Sequence, residues 1–185
     1  MSLLKRGTSW DYVPTTLLAQ ADSCIGSKTS INSENTKNLY GLFYPPVKVF
    51  IIYEFLHSLP ISEIVSGFGD AFHYLLVHPD NSFNYAIKYL KQFNKLSPEN
   101  FIYSKDELNL FLYDCHKIKK YYIEKDEFDN NERKVLNLGH SFGHALEALL
   151  DFTIPHGIGV LLGINIAISF SLYLYEENIK NDIKI

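Results

Sequence analysis

The 185-residue sequence predicts an α/β remnant at residues 1–56 followed by a mostly α-helical C-terminal domain at residues 57–185, and three observations carry this. The first third is rich in Thr, Ser, Gly and Asn, and reads as loops and short strands. It holds one compact run of β-branched and aromatic residues. From Ser62 onward the apolar spacing turns helical, so the division falls near His57.

Taken in order, Lys48 to Tyr53 (KVFIIY) follows Pro45-Pro46 and predicts a strand. Ser62 can cap a helix running through Tyr74. Ser104-Lys105-Asp106-Glu107 has the form of a capping box and predicts a helix to about Tyr113. Asn137–Leu150 and Gly157–Tyr175 predict two more helices, separated by Thr153-Ile154-Pro155. The last of these carries no charged residue and is long enough to raise a transmembrane reading. Asn165, three glycines, two serines and the lack of a basic flank favour a helix buried in a core instead. No membrane partner is expected. No internal repeat or low-complexity tract is visible.

Composition sets broad bounds. An apolar fraction of 46% and a charged fraction of 21% are ordinary for a soluble protein. The net charge of −4 argues against nucleic acid or an acidic membrane surface as a partner. Cys24 and Cys115 are far apart in sequence and read as reduced thiols of a cytoplasmic protein. The N-terminal segment has no apolar signal core, so no secretion is expected.

The segment from Arg133 to His144 (RKVLNLGHSFGH) carries the most chemistry. His140 and His144 are four apart, as are Arg133 and Asn137, so a helix would gather a cation, an amide and two imidazoles on one face. That equipment suits an anionic, hydroxyl-rich small molecule near a metal. His156, at the start of the next helix, could complete a metal site with His140. Gly139 and Gly143 would allow a backbone or ligand to come close. A second reading, hydrogen-bonded histidines with no metal, stays open. A catalytic zinc takes a carboxylate as well and keeps one open position. Asp70 is the candidate, because it lies mid-helix in an apolar stretch where an unpaired acid is costly. Asp114 and Asp151 fit less well, each reading as a solvated acid near a helix end. Lys28 and Lys37-Asn38 lie in a turn-prone region, where they suit either anion binding or a solvated loop.

Together these segments resemble the 3-dehydroquinate synthase family of sugar-phosphate cyclases. The resemblance runs through Arg6-Gly7, VPTTLLAQADSCIGSKTSIN, TKNLYGLFYPP, HSLP at His57 to Pro60, DEFDNNERKVLNLGHSFGHALEALL and Pro155-His156-Gly157. It implies the family's fold, shared with metal-dependent polyol and alcohol dehydrogenases, and makes residues 1–56 the end of an NAD-binding α/β domain. It implies metal ligation by Asp70, His140 and His156, with zinc expected and cobalt or iron compatible. It places Lys28, Asn38, His73, Lys119, Arg133, Asn137 and His144 at substrate-binding or catalytic positions. Thr15, Thr16, Asp22, Lys37 and Ser58 fall where the family contacts NAD. Arg6 matches an arginine that reaches a neighbouring subunit's site, which implies a homodimer. The implied reaction converts 3-deoxy-arabino-heptulosonate 7-phosphate to 3-dehydroquinate with loss of phosphate.

Three departures qualify the match. Asp70 stands where the family has a glutamate, one methylene longer, and His73 stands where it has a lysine. Ser27 replaces one glycine of a pair before Lys28. No Gly-rich dinucleotide fingerprint occurs in the chain, and the family's nucleotide-binding half is expected to precede Arg6. A cyclase with another sugar phosphate, a polyol dehydrogenase and a silent fragment are the competing expectations.

Overall fold

A computed structural model of the chain describes residues 5, 7–33, 36–80 and 83–182. Arg6 lies outside these residues, as does the side chain of Lys37. The α/β remnant consists of two small two-stranded sheets. Strand β1 (Asp11–Tyr12) pairs in parallel with β4 (Lys48–Val49), and β2 (Lys28–Ser33) pairs antiparallel with β3 (Thr36–Phe43). Between β1 and β2 the chain makes a π-helical turn at Ala19–Ser23.

The strand expected over Lys48 to Tyr53 is therefore shorter than its sequence suggests. Its parallel partner offers two residues, and a last bond runs from the N–H of Phe50 to the Tyr12 carbonyl at 2.8 Å. The chain then winds into a 3-10 turn, Tyr53–Ser58. β2 and β3 leave Ile31, Leu39, Tyr40, Leu42 and Phe43 exposed.

Helix α1 (Ile61–Leu76) starts one residue before the expected cap. Pro60 occupies the cap position, its carbonyl accepting from the N–H groups of Glu63 and Ile64 at 3.0 and 3.3 Å. After it come α2 (Phe83–Leu96), α3 (Pro98–Tyr103) and α4 (Lys105–Lys125). Ser104 does precede α4, but its side chain makes no capping bond. The helix also runs well past Tyr113, because Leu108, Phe111, Leu112, Cys115, Ile118 and Lys119 keep one face buried at helical spacing. Asp114 belongs to this interior, where it accepts a hydrogen bond from the Tyr89 hydroxyl at 2.5 Å, rather than to a solvated helix end. Phe68 of α1 stacks on Phe93 of α2 at 3.9 Å and on Phe111 of α4 at 5.2 Å, with Phe101 of α3 edge-on at 5.9 Å. This aromatic cluster locks four helices together.

The helix expected over Asn137–Leu150 is split. Glu132–Asn137 forms a 3-10 turn, Gly139 takes φ +81°, and α5 (His140–Leu149) begins after it. A left-handed residue cannot continue a right-handed helix, and glycine adopts it without a Cβ penalty. Arg133 and Asn137 thus do not share a helical face with the two histidines.

Helix α6 (His156–Asp182) packs its first turns against α1 and α5. The contact is close: a methyl group on Gly157 would collide with the carbonyl oxygen of Ser66, and one on Gly163 with that of Gly139. Val160 and Ile164 are buried there. The expectation of a helix buried throughout fails beyond this point, since Leu162, Ile166, Ile168, Phe170 and Leu172–Tyr175 are exposed. By length and composition it is the one helix among the described residues that could cross a membrane, and 28% of its apolar window is buried.

Candidate metal centre and anion cavity

α1, α5 and α6 meet at their glycine contacts, and the meeting point carries Asp70, His140 and His156. Asp70 Oδ1 lies 3.4 Å from His140 Nε2 and 3.5 Å from His156 Nε2. All three ligand atoms lie within 4.8 Å of one another. Asp70 is 2% exposed, and its Oδ1 makes no hydrogen bond. The spacing is long for a charge-assisted hydrogen bond, about 2.7–2.9 Å. It matches two ligands on one ion, since ligands about 2.0–2.2 Å from a tetrahedral metal sit roughly 3.3–3.6 Å apart. One carboxylate and two imidazoles are a fitting donor set for zinc, cobalt or iron.

The electrostatics agree with the geometry. Burial pushes the Asp70 carboxyl up, but the imidazoles of His140 and His156 more than reverse this and hold it below the usual carboxylate range. The facing Asp70 carboxylate raises the His156 imidazole against burial, with Glu147 adding to it. Burial lowers His73, against the attraction of Asp70. His73 Nδ1 bonds the Asp70 carbonyl, and its Nε2 is buried without a hydrogen-bond partner.

A cavity of about 480 Å³ opens beside this centre. Lys28, Asn38, His73, Lys119, Arg133, Asn137 and His144 all line it, together with Asp22 and the three candidate ligands. Arg133 and Asn137 reach it from the 3-10 turn, so the broken helix still delivers them to one place. Arg133 is buried, and its Nη1 donates to the Glu127 carbonyl at 2.5 Å. Its loop is held by Asp126, whose carboxylate accepts from the N–H groups of Asn130, Asn131 and Arg133 at 3.0, 2.6 and 3.2 Å. Those bonds, Asn130 foremost, keep the Asp126 carboxyl below its ordinary range. Lys119 Nζ donates to the Asp22 carboxylate and carbonyl, each at 2.6 Å. Asn38 takes φ +58°, and its Oδ1 accepts from the Ser30 hydroxyl at 2.6 Å.

Thr15, Thr16 and Ser58 do not line this cavity. Thr16 Oγ1 accepts from the Ala19 N–H at 3.1 Å and Ser58 Oγ donates to the Phe55 carbonyl at 3.1 Å, while Thr15 is exposed.

Three residues at the site escaped the sequence reading. Asp129 pairs with Lys28 at 2.7 Å, and the Tyr74 hydroxyl bonds Asp22. Glu147 accepts from His156 Nδ1 at 2.6 Å and from His144 Nδ1 at 2.9 Å. Its position three residues after His144 was the available signal.

Comparison with known proteins identifies the family. Residues 67–184 match the 3-dehydroquinate synthase C-terminal family, and residues 1–66 match the 3-dehydroquinate synthase N-terminal family. The chain belongs to the 3-dehydroquinate synthase family. It is 38% identical over 180 residues to 3-dehydroquinate synthase of Staphylococcus epidermidis, covering 95% of this chain and 47% of that protein. With the enzyme of Buchnera aphidicola it shares 39% over 167 residues, 90% of this chain and 45% of that one. The chain thus spans about half the length of the relatives it matches. A crystal structure of 2-deoxy-scyllo-inosose synthase superposes with a TM-score of 0.75 at 27% identity, over 88% of this chain and 44% of that one. The same enzyme complexed with carbaglucose-6-phosphate, NAD+ and Co2+ gives 0.73 at 29% identity, over 86% and 41%. The fold of this family member is therefore that of the sugar-phosphate cyclases, an α/β remnant joined to a mostly helical domain.

Proposed function

We propose that this family member is the central part of a 3-dehydroquinate synthase-like cyclase. Its reaction eliminates phosphate from 3-deoxy-arabino-heptulosonate 7-phosphate and closes the carbon ring to 3-dehydroquinate. The observation that carries the reading is the unpaired Asp70 oxygen at 3.4 and 3.5 Å from two imidazole nitrogens, opening on a cavity with three cationic side chains. The solved relative with NAD+ and Co2+ bound supports NAD and a divalent metal as its cofactors, and the donor set of one carboxylate and two imidazoles suits zinc foremost. A metal held by Asp70, His140 and His156 supplies polarisation of a ring oxygen, and NAD a reversible hydride acceptor.

The chain's own residues hold the substrate in register. Lys28, Lys119 and Arg133 take the anionic ends, with Asn38 and Asn137 donating to hydroxyls. His144, half-exposed at the cavity wall, exchanges a proton with the substrate. Thr15, Thr16, Asp22 and Lys37 contact NAD from the 1–56 remnant and Ser58 from just beyond it, while residues 57–185 hold the metal and most of the substrate contacts. Arg6 completes the site of a second subunit, making a homodimer in the cytoplasm, as suits a phosphate-ester substrate.

His73 favours a second reading, a related cyclase acting on a sugar phosphate that lacks the keto-acid's carboxylate. Its buried Nε2 offers the cavity a nitrogen in place of a lysine's permanent charge. Metal content per chain, measured for the protein and for His140→Ala, tests the centre first. About one metal per chain, lost in the variant, is expected. No metal in either would overturn the proposal. Phosphate release from the keto-acid phosphate, set against a sedoheptulose or hexose phosphate, then separates the two substrates.

A further inference from the structure

Glu147 is 4% exposed and lies between α5 and α6, shared by one side chain from each. Its Oε1 accepts from His156 Nδ1 at 2.6 Å and its Oε2 from His144 Nδ1 at 2.9 Å. The two rings stack at 5.3 Å with 21° between their planes. The helices leave space for this carboxylate: a methyl group on Gly159 would come within 3.2 Å of Glu147 Cγ. An ionised carboxylate only accepts hydrogen bonds. Each imidazole facing it must therefore carry a proton on Nδ1, and in the neutral ring Nε2 is left with a lone pair.

We propose that Glu147 is a positioning residue that fixes the tautomers of His144 and His156 together. One carboxylate aims His156 Nε2 at the centre and keeps His144 Nε2 able to accept a proton. The inference rests on the metal-dependent reading above for its consequence, and on the hydrogen bonds alone for its geometry. Carboxylates behind ligating histidines characteristically fix the ring in this way. The unusual feature is that a single carboxylate serves a ligand and a proton-exchanging histidine at once.

Long-range proton–nitrogen spectra of protein labelled with nitrogen-15 histidine, taken metal-free at mildly alkaline pH, read the tautomers directly. Both rings in the wild-type chain are expected to be protonated at Nδ1. In Glu147→Gln the amide offers one accepting and one donating edge, so one of the two rings should switch to the Nε2-protonated form. Zinc affinity, measured by chelator competition, should fall about ten- to hundredfold. Either wild-type ring found protonated at Nε2 would overturn the proposal without any variant. A Glu147→Gln protein with both tautomers unchanged would overturn it whatever its zinc affinity. A wild-type chain that takes up no zinc would overturn the metal-dependent reading instead, and because the tautomers are read without metal, the two failures are distinct.

Discussion

Asp70 and His73 sit one turn apart on α1, and two of the departures from the family's pattern meet there. The shorter acid is compatible with a metal because α1 lies close against α6, where Gly157 touches Ser66 with no room for a side chain. His73 is a different matter. Burial lowers its imidazole and its Nε2 has no hydrogen-bond partner, so the cavity holds no fixed charge at that point. His73→Lys should restore one. Calorimetric titration of the zinc-loaded chain with the keto-acid phosphate should then show affinity rising about tenfold, worth roughly 1.4 kcal/mol. Unchanged affinity would mean that His73 does not set substrate choice. Cys24 gives a pH-dependent check on the same region. Burial pushes its thiol up to about 11, against the pull of Lys119. The folded state thus favours the neutral thiol. The associated stability is complete below the unfolded thiol's pKa, about 8.5, and is lost as pH rises towards 11. Alkylation of Cys24 should be slow near neutrality and accelerate steeply only in that window. Rapid labelling at neutral pH would contradict the burial assigned to it.

Helix packing turns scattered residues into a site. α5 and α6 approach through Gly139, Gly143, Gly159 and Gly163, which lets His140 and His156 face one carboxylate oxygen. Gly163→Ala would set a methyl group against the Gly139 carbonyl and force the helices apart. Overpacking of this kind costs about 1–3 kcal/mol, so thermal melting should show Tm lowered by roughly 3–10 °C. Metal affinity should fall with it, and a variant that keeps both would show that the seam does not position the ligands. Much of this was readable beforehand. His140 in the i, i+4 histidine pair, His156 at the next helix start and an acid stranded mid-helix carry their own signals, and the structure brings these three to one point. Other features left no such trace. Gly139 looked like one more helical residue, so the break that separates Arg133 and Asn137 from α5 was not legible. Glu147 reads as an ordinary helix acid until α6 is packed against it. The exposure of α6 beyond Leu162 was equally hidden, because a helix apolar on every side gives the same pattern in a core, in a membrane or uncovered.

At the scale of the whole molecule, the candidate metal centre and most of the candidate nucleotide contacts part company, Asp22 alone of the described ones lining the same cavity. Every candidate ligand and all of the candidate substrate residues within the described side chains reach one cavity, whereas Thr15, Thr16 and Ser58 stay off it. The relatives are about twice as long as this chain, and in the chain the outer part of α6 and apolar side chains of β2 and β3 are exposed. On that account metal binding is local to α1, α5 and α6, and NAD binding is not. The 185-residue chain, produced alone, should bind zinc stoichiometrically while its affinity for NAD remains weaker than about 1 mM, near 4 kcal/mol. Calorimetry with each ligand in turn measures both. Tight NAD binding by this chain would show that residues 1–56 already form a working cradle. A chain that binds neither zinc nor NAD would overturn the metal-dependent reading of Asp70, His140 and His156.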